Sequence, residues 1–156
     1  MSQPAPQPQS ETDIISGLID RGRSAMAVFA NADQARVDEA VTALCWSIYK
    51  PENAKELAEL AVQDTGLGNV ADKITKNTRK NFGTLRDLLR VKTVGIIEEI
   101  PDKGLVKYAK PVGVVGAVVP STNPAATPAN KAMMAIKGRN AVIIAPSPAG
   151  MSTTGR

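Results

Sequence analysis

Residues Val112 to Ala145 read VGVVGAVVPSTNPAATPANKAMMAIKGRNAVIIA, and this stretch decides the fold. Val112–Val119 is a continuous apolar run, as a strand covered on both faces would be. The polar Pro120-Ser-Thr-Asn-Pro124 follows as a loop. Ala125–Lys137 has helical spacing, with Met133, Met134 and Ile136 apolar and Pro128 confined to the first turn. Gly138-Arg139 is a break, and Asn140–Ala145 is a second buried strand. Strand, helix and strand within about 35 residues make a βαβ unit of a parallel sheet. Two such strands alone leave an open edge and an uncovered apolar face, so the unit is expected to begin a larger nucleotide-binding sheet.

Immediately upstream, Val94–Ile100 (VGIIEEI) and Leu105–Lys110 flank Pro101-Asp-Lys-Gly104. Proline presets φ and glycine permits the left-handed region, which predicts a β-hairpin. Everything before it has helical period. Glu11–Ala30 carries Ile14, Ile15, Leu18, Ile19, Met26 and Phe29, begins with a Ser10/Asp13 capping pair and has a soft spot at Gly22. Asp33–Tyr49 places Val37, Val41, Leu44, Cys45 and Ile48 on one face. Pro51 opens a third helix with Leu57, Leu60 and Ala61, ending near Thr65-Gly66. A fourth is expected over Val70–Arg90, with Ile74, Leu85, Leu88 and Leu89 apolar. Met1–Ser10 (MSQPAPQPQS) reads as a disordered tail, and Pro146–Arg156 as loop. The fold class is therefore α/β: a tail over 1–10, a helical region over 11–92, a hairpin over 93–110 and a first βαβ unit over 111–156.

Composition narrows the chemistry. The 156 residues hold 19 Lys and Arg against 15 Asp and Glu, and 43% are hydrophobic, which suits one domain with a real core. With two Phe, two Tyr and one Trp, base-stacking platforms are not expected. The absence of histidine removes Ser-His-Asp and Cys-His relays and imidazole metal sites. One cysteine makes no internal disulfide, and Cys45 on an apolar helix face reads as a packed, inert thiol. The longest apolar run is too short for a bilayer and no secretory signal is visible, so a cytoplasmic protein is expected.

Three places would carry chemistry. Ser121, Thr122 and Asn123 sit at the carboxyl end of the first parallel strand, where open α/β sheets bind ligands. An amide there would hold an oxyanion; the plain alternative is a turn in which Asn123 caps the following helix. Pro146-Ser147-Pro148 follows the second strand, and Ser147 would face a cofactor ribose or merely stiffen a loop. Lys73, Lys76, Arg79, Lys80, Arg86, Arg90 and Lys92 would hold an anion such as a phosphate-bearing cofactor, or form a solvated helix face. Gly113 and Gly116 lie inside a strand and make neither a dinucleotide fingerprint nor a P-loop.

Lys110–Pro124 (KPVGVVGAVVPSTNP) resembles the start of the cofactor domain of aldehyde dehydrogenases, and its STNP form the CoA-acylating branch. Ala132–Pro148 (AMMAIKGRNAVIIAPSP), Glu59–Gly68 (ELAVQDTGLG) and Asp72–Asn77 (DKITKN) are similar to the same branch, in the same order. The resemblance spans about Ile14 to Ser152. Within the branch, NPAATPANKA and APSP are most similar to acylating sulfoacetaldehyde dehydrogenases.

The resemblance implies a reaction. A cysteine thiolate attacks an aldehyde, amide donors hold the oxyanion, hydride passes to NAD or NADP, and coenzyme A takes the acyl group. Asn123 or Thr122 is then the oxyanion-side donor. Val119, Pro120, Ser121, Ala145, Pro146 and Ser147 are the cofactor-side residues, Ala145 standing where many relatives carry lysine. The hairpin resembles an oligomerisation arm, so a homo-oligomer is implied, with no metal, nucleic acid or membrane partner. The nucleophilic cysteine of the family lies in a later domain, and Cys45 does not occupy that motif. The chain is therefore expected to be an N-terminal portion that is inactive alone. A different class of function is a non-catalytic module that docks on a full-length dehydrogenase through the hairpin. A basic nucleic-acid binder is the weakest alternative.

Overall fold

The structure, a computed structural model, describes residues 10–156. Of the expected tail, residues 1–9 lie outside the described residues. Ser10 caps helix α1 (Glu11–Phe29), its Oγ accepting from the Asp13 backbone at 3.2 Å and donating to the Asp13 carboxylate at 2.7 Å. Asp33 caps α2 (Gln34–Tyr49), and Pro51 opens α3 (Pro51–Thr65), which Gly66 ends in the left-handed conformation.

The expected helix over Val70–Arg90 is interrupted. It runs as α4 (Val70–Thr75), a π-turn (Lys76–Lys80) and α5 (Asn81–Leu89). The Asn81 side chain donates at 2.8 Å to the Asn77 carbonyl, the acceptor its own backbone would use in an α-helix. Asn77 in turn donates at 3.0 Å to the Ala54 carbonyl on α3. The buried face is thus Lys73, Asn77, Asn81 and Leu85, whereas Leu89 is exposed; Asn77 meets Ala54, and Ala61 shares a crevice with Lys73 and Asn77. Of the apolar side read from the sequence, Leu85 is buried and Leu88 packs against the core; hydrophobic spacing does not show that Lys73, Asn77 and Asn81 share the buried face, each donating to a backbone carbonyl.

Strands β1 (Gly95–Ile100) and β2 (Leu105–Ala109) pair antiparallel around a 3₁₀ turn and a left-handed Gly104, with a bulge between Ile96 and Glu98. Strands β3 (Val114–Val118) and β4 (Ala141–Ala145) pair parallel, Val114 opposite Ala141 and Val118 opposite Ala145, joined by α6 (Ala126–Lys137). The fold is the α/β arrangement read from the sequence.

The core joins Val41 and Cys45 of α2, Leu85 of α5 and Met133 of α6. A fully buried methionine contributes about 1.5–3 kcal/mol. Met134, expected among the apolar residues of α6, is exposed. Gly22 is a close-approach position. A Cβ there would stand 3.1–3.3 Å from Val114 and Ala141 side chains, so α1 lies against the strands. The β3 run is covered on one face only. Ala117 and Val119 are buried, whereas Gly116 and Val118 (76% exposed) face outward, because α1 reaches only the start of that face. Residues after Ser147 form a 3₁₀ turn and a short helix, α7 (Met151–Gly155), instead of a loop. Its cap is supplied by Asp64 of α3, so no local signal marks it.

Candidate functional site

Both βα loops of the parallel pair emerge side by side. The ladder extends one step past β3, where the Val119 N–H donates to the Ala145 carbonyl at 2.9 Å. Val119 itself is buried, Pro120 and Thr122 are exposed, and Ser121 and Asn123 are half-buried before the fully buried Pro124. Ala145, the last residue of β4, is exposed, and Pro146 and Ser147 after it are half-buried. The Gly150 N–H closes the second loop on the Ser147 carbonyl at 3.0 Å.

The first loop is clamped from several elements. Lys73 Nζ of α4 donates to the Thr122 carbonyl at 3.1 Å. Thr154 Oγ1 of α7 donates to the Pro124 carbonyl at 2.8 Å, and the Thr127 N–H to the Asn123 carbonyl at 3.3 Å. Asn123 does not cap α6 with its side chain; Ala125 is the capping position and makes no side-chain cap bond. The Asn123 Nδ2 instead reaches Thr122 Oγ1 at 3.5 Å, the outer limit of a hydrogen bond. Its amide donors are therefore available to a ligand.

The stretch Asp64–Asn77 is the brace behind these loops. Asp64 Oδ2 accepts from Ser152 Oγ at 2.6 Å, Thr153 Oγ1 at 2.6 Å and the Thr153 N–H at 3.0 Å. The Ser152 and Thr153 hydroxyls hold its carboxyl below the usual carboxylate range. Asn69 caps α4 by accepting from the Asp72 N–H at 2.9 Å. Burial, and secondarily the Lys76 charge, push the Lys73 ammonium below the usual lysine value.

Of the basic stretch, Arg79, Lys80, Arg86, Arg90 and Lys92 are exposed and Lys76 is half-buried. Lys73, expected on a solvated face or against an anion, is instead 7% exposed and bonded to a carbonyl. Sequence reasoning missed Lys73, Asp64 and Thr154 as loop supports. Only the column of lysine and two asparagines ahead of Leu85 hinted at a buried polar seam.

Ser147 Oγ is buried and, among the described residues, has no hydrogen-bond partner. The hydroxyl lies at the carboxyl edge of the parallel pair, where open α/β sheets bind ligands. Cys45 lies in the core on α2, and burial pushes its thiol up. Among the described residues no group of three or more His, Cys, Asp or Glu would hold a metal, and no helix is long and apolar enough to cross a membrane.

Residues 47–154 match the aldehyde dehydrogenase family. An acylating sulfoacetaldehyde dehydrogenase of Cupriavidus necator is 52% identical over 152 residues, 97% of this chain and 31% of that protein. The Bilophila wadsworthia enzyme of the same name is 45% identical over 140 residues, 90% of this chain and 30% of its own. An acetylating aldehyde dehydrogenase from Geobacillus thermoglucosidasius superposes with a TM-score of 0.86 at 33% identity, over 91% of this chain and 31% of that one. The chain spans about a third of the length of the curated relatives it matches.

Proposed function

The chain belongs to the aldehyde dehydrogenase family, and from that premise we propose that it supplies the coenzyme-side and oxyanion-side wall of a CoA-acylating aldehyde dehydrogenase. Sulfoacetaldehyde is the proposed aldehyde, in keeping with the relatives' names. The observation that carries this reading is the braced loop Ser121–Asn123 at the carboxyl edge of the parallel strands, with Thr122 exposed and the Asn123 amide only weakly engaged.

The Asn123 Nδ2 is the donor best matched to an oxyanion growing on the aldehyde carbon, with the Thr122 hydroxyl beside it. A donor fixed before the reaction stabilises developing charge without reorganising when it appears. A nicotinamide coenzyme, NAD or NADP, would rest on Pro120, Ser121, Ala145 and Pro146 over the buried Val119, with its ribose beside the half-buried Ser147. When bound it supplies the hydride acceptor. Ala145 offers no charge toward a coenzyme phosphate. Coenzyme A is the acyl acceptor. Cys45 is excluded as nucleophile by its place in the core, so the reactive sulfur comes from outside these residues. The hairpin Val94–Lys110 serves as the arm of a homo-oligomer, and a cytoplasmic setting suits the single free thiol.

Fusing this chain to the remaining part of the Cupriavidus necator relative tests the proposal. The chimera should reduce NAD or NADP with sulfoacetaldehyde only when coenzyme A is present, and the unfused chain should not. A folded chimera without coenzyme-A-dependent turnover refutes it.

One observation favours a second reading. The β1–β2 and β3–β4 pairs are both two-stranded and the outer face of β3 is exposed, so a non-catalytic module could dock on a full-length dehydrogenase. Stable co-purification with the Cupriavidus necator enzyme would support it, and failure of the two proteins to associate would exclude it.

A further inference from the structure

We infer that Lys73 is a positioning residue for the candidate oxyanion loop, acting through its bond to the Thr122 carbonyl. This rests on the role proposed above for Asn123. Lys73 is separated from Thr122 by 49 residues and lies on a different element, yet its ammonium is 3.1 Å from that carbonyl. Lys73 is only 7% exposed. Among the described residues no ion pair involves it. Its charged neighbour is the like-charged Lys76.

A buried ammonium without a carboxylate is costly, so its location asks for a reason. Two readings compete. The first is an anion subsite shared with Lys76. The crevice between Lys73, Lys76 and Asn123 is only about 10 Å³, which is marginal for one water and leaves no room for a phosphate or sulfonate. The second reading is a clamp. The lysine stem passes Gly68, where an added Cβ would lie 3.6 Å from Lys73 Cε, and its head ends on the peptide joining Thr122 to Asn123.

That peptide is the useful place for a positive charge. An ammonium on the Thr122 carbonyl draws electron density from the peptide and strengthens the Asn123 N–H as a donor. Among the described residues this N–H has no bonded acceptor. The clamp thus both fixes the direction of the loop and sharpens a donor beside the Asn123 side chain. Neutral side chains of similar length would fill the space without either effect.

Nuclear magnetic resonance on the 156-residue chain tests this. In the unsubstituted chain, a coupling across the hydrogen bond from Lys73 Nζ to the Thr122 carbonyl carbon is expected, with slow ammonium exchange. Lys73→Met should speed exchange of the Thr127 N–H, bonded to the Asn123 carbonyl, about tenfold relative to the Val41 N–H in the core. Lys73→Arg, which keeps the charge and donor, should recover most of that protection. An absent coupling with an ammonium in free exchange overturns the inference. So does Lys73→Met accelerating Thr127 and Val41 equally, or neither. If Lys73→Met does not fold, the coupling in the unsubstituted chain decides alone. Asn123→Ala should leave the coupling intact, so an intact clamp with a dispensable Asn123 sinks only the oxyanion role. A missing clamp with an essential Asn123 sinks only the role of Lys73.

Discussion

Gly150 lies against Pro124 so closely that a Cβ built on it would stand 2.6 Å from the proline Cβ. The two residues belong to the loops that follow β4 and β3, and neither loop moves independently while they touch. Gly150 has φ −113°, so the demand for glycine here comes from space and not from backbone conformation.

Gly150→Ala should therefore separate the loops. We expect a loss of about 1–3 kcal/mol, the usual cost of overpacking, measured by chemical denaturation. Resonance shifts should concentrate at Ser121–Asn123 and Ser147. A fully stable variant with an unshifted first loop would show that the contact does not couple them.

Lys137 is 2% exposed and pairs with Asp38 on α2. Asp38 also accepts from Gln34 Nε2 at 2.9 Å, and Gln34 Oε1 receives the Thr93 N–H at 2.8 Å and the Val94 N–H at 3.1 Å. This chain ties the end of α6 to the start of the hairpin. Asp38→Ala leaves a buried ammonium unpaired and should cost about 3–5 kcal/mol. Lys137→Met removes the charge instead and should cost less. Equal losses in denaturation would mean that the pair matters by packing alone.

Asp64 links α3 to α7 and should make that contact acid-sensitive. Its carboxyl is held below the ordinary range when folded and is ordinary when unfolded. Its contribution is therefore complete above the unfolded value and is lost as pH falls through the folded one. As pH falls below the ordinary carboxylate range, protection of the Thr153 amide should drop before that of Val41. In Asp64→Asn the acid step should vanish. A step that survives the substitution would belong to another group.

Much of this architecture is legible locally. The α2 face of Val37, Val41, Cys45 and Ile48 follows from helical period, Gly66 and Gly104 mark their stops, and VGVVGAVV and AVIIA announce a parallel pair. The candidate loop is legible for the same reason, because polar residues between buried strands must surface at their ends. What holds that loop is not. Lys73 meets Thr122 across 49 residues, Ser152 meets Asp64 across 88, and Lys137 meets Asp38 across 99. No period or turn rule connects such pairs, and a lysine on a helix reads as solvated until its carbonyl partner is seen. The outer face of β3 looked buried because an apolar run does not say which neighbours cover it.

Turnover by the chimera with Asn123 intact and with Asn123→Ala tests the central claim most directly. If the Ser121–Asn123 loop is the oxyanion wall, the substitution should lower kcat by about 100- to 1,000-fold, with coenzyme binding and the unfolding midpoint little changed. A variant that forms acyl-CoA at the parental rate would contradict the account.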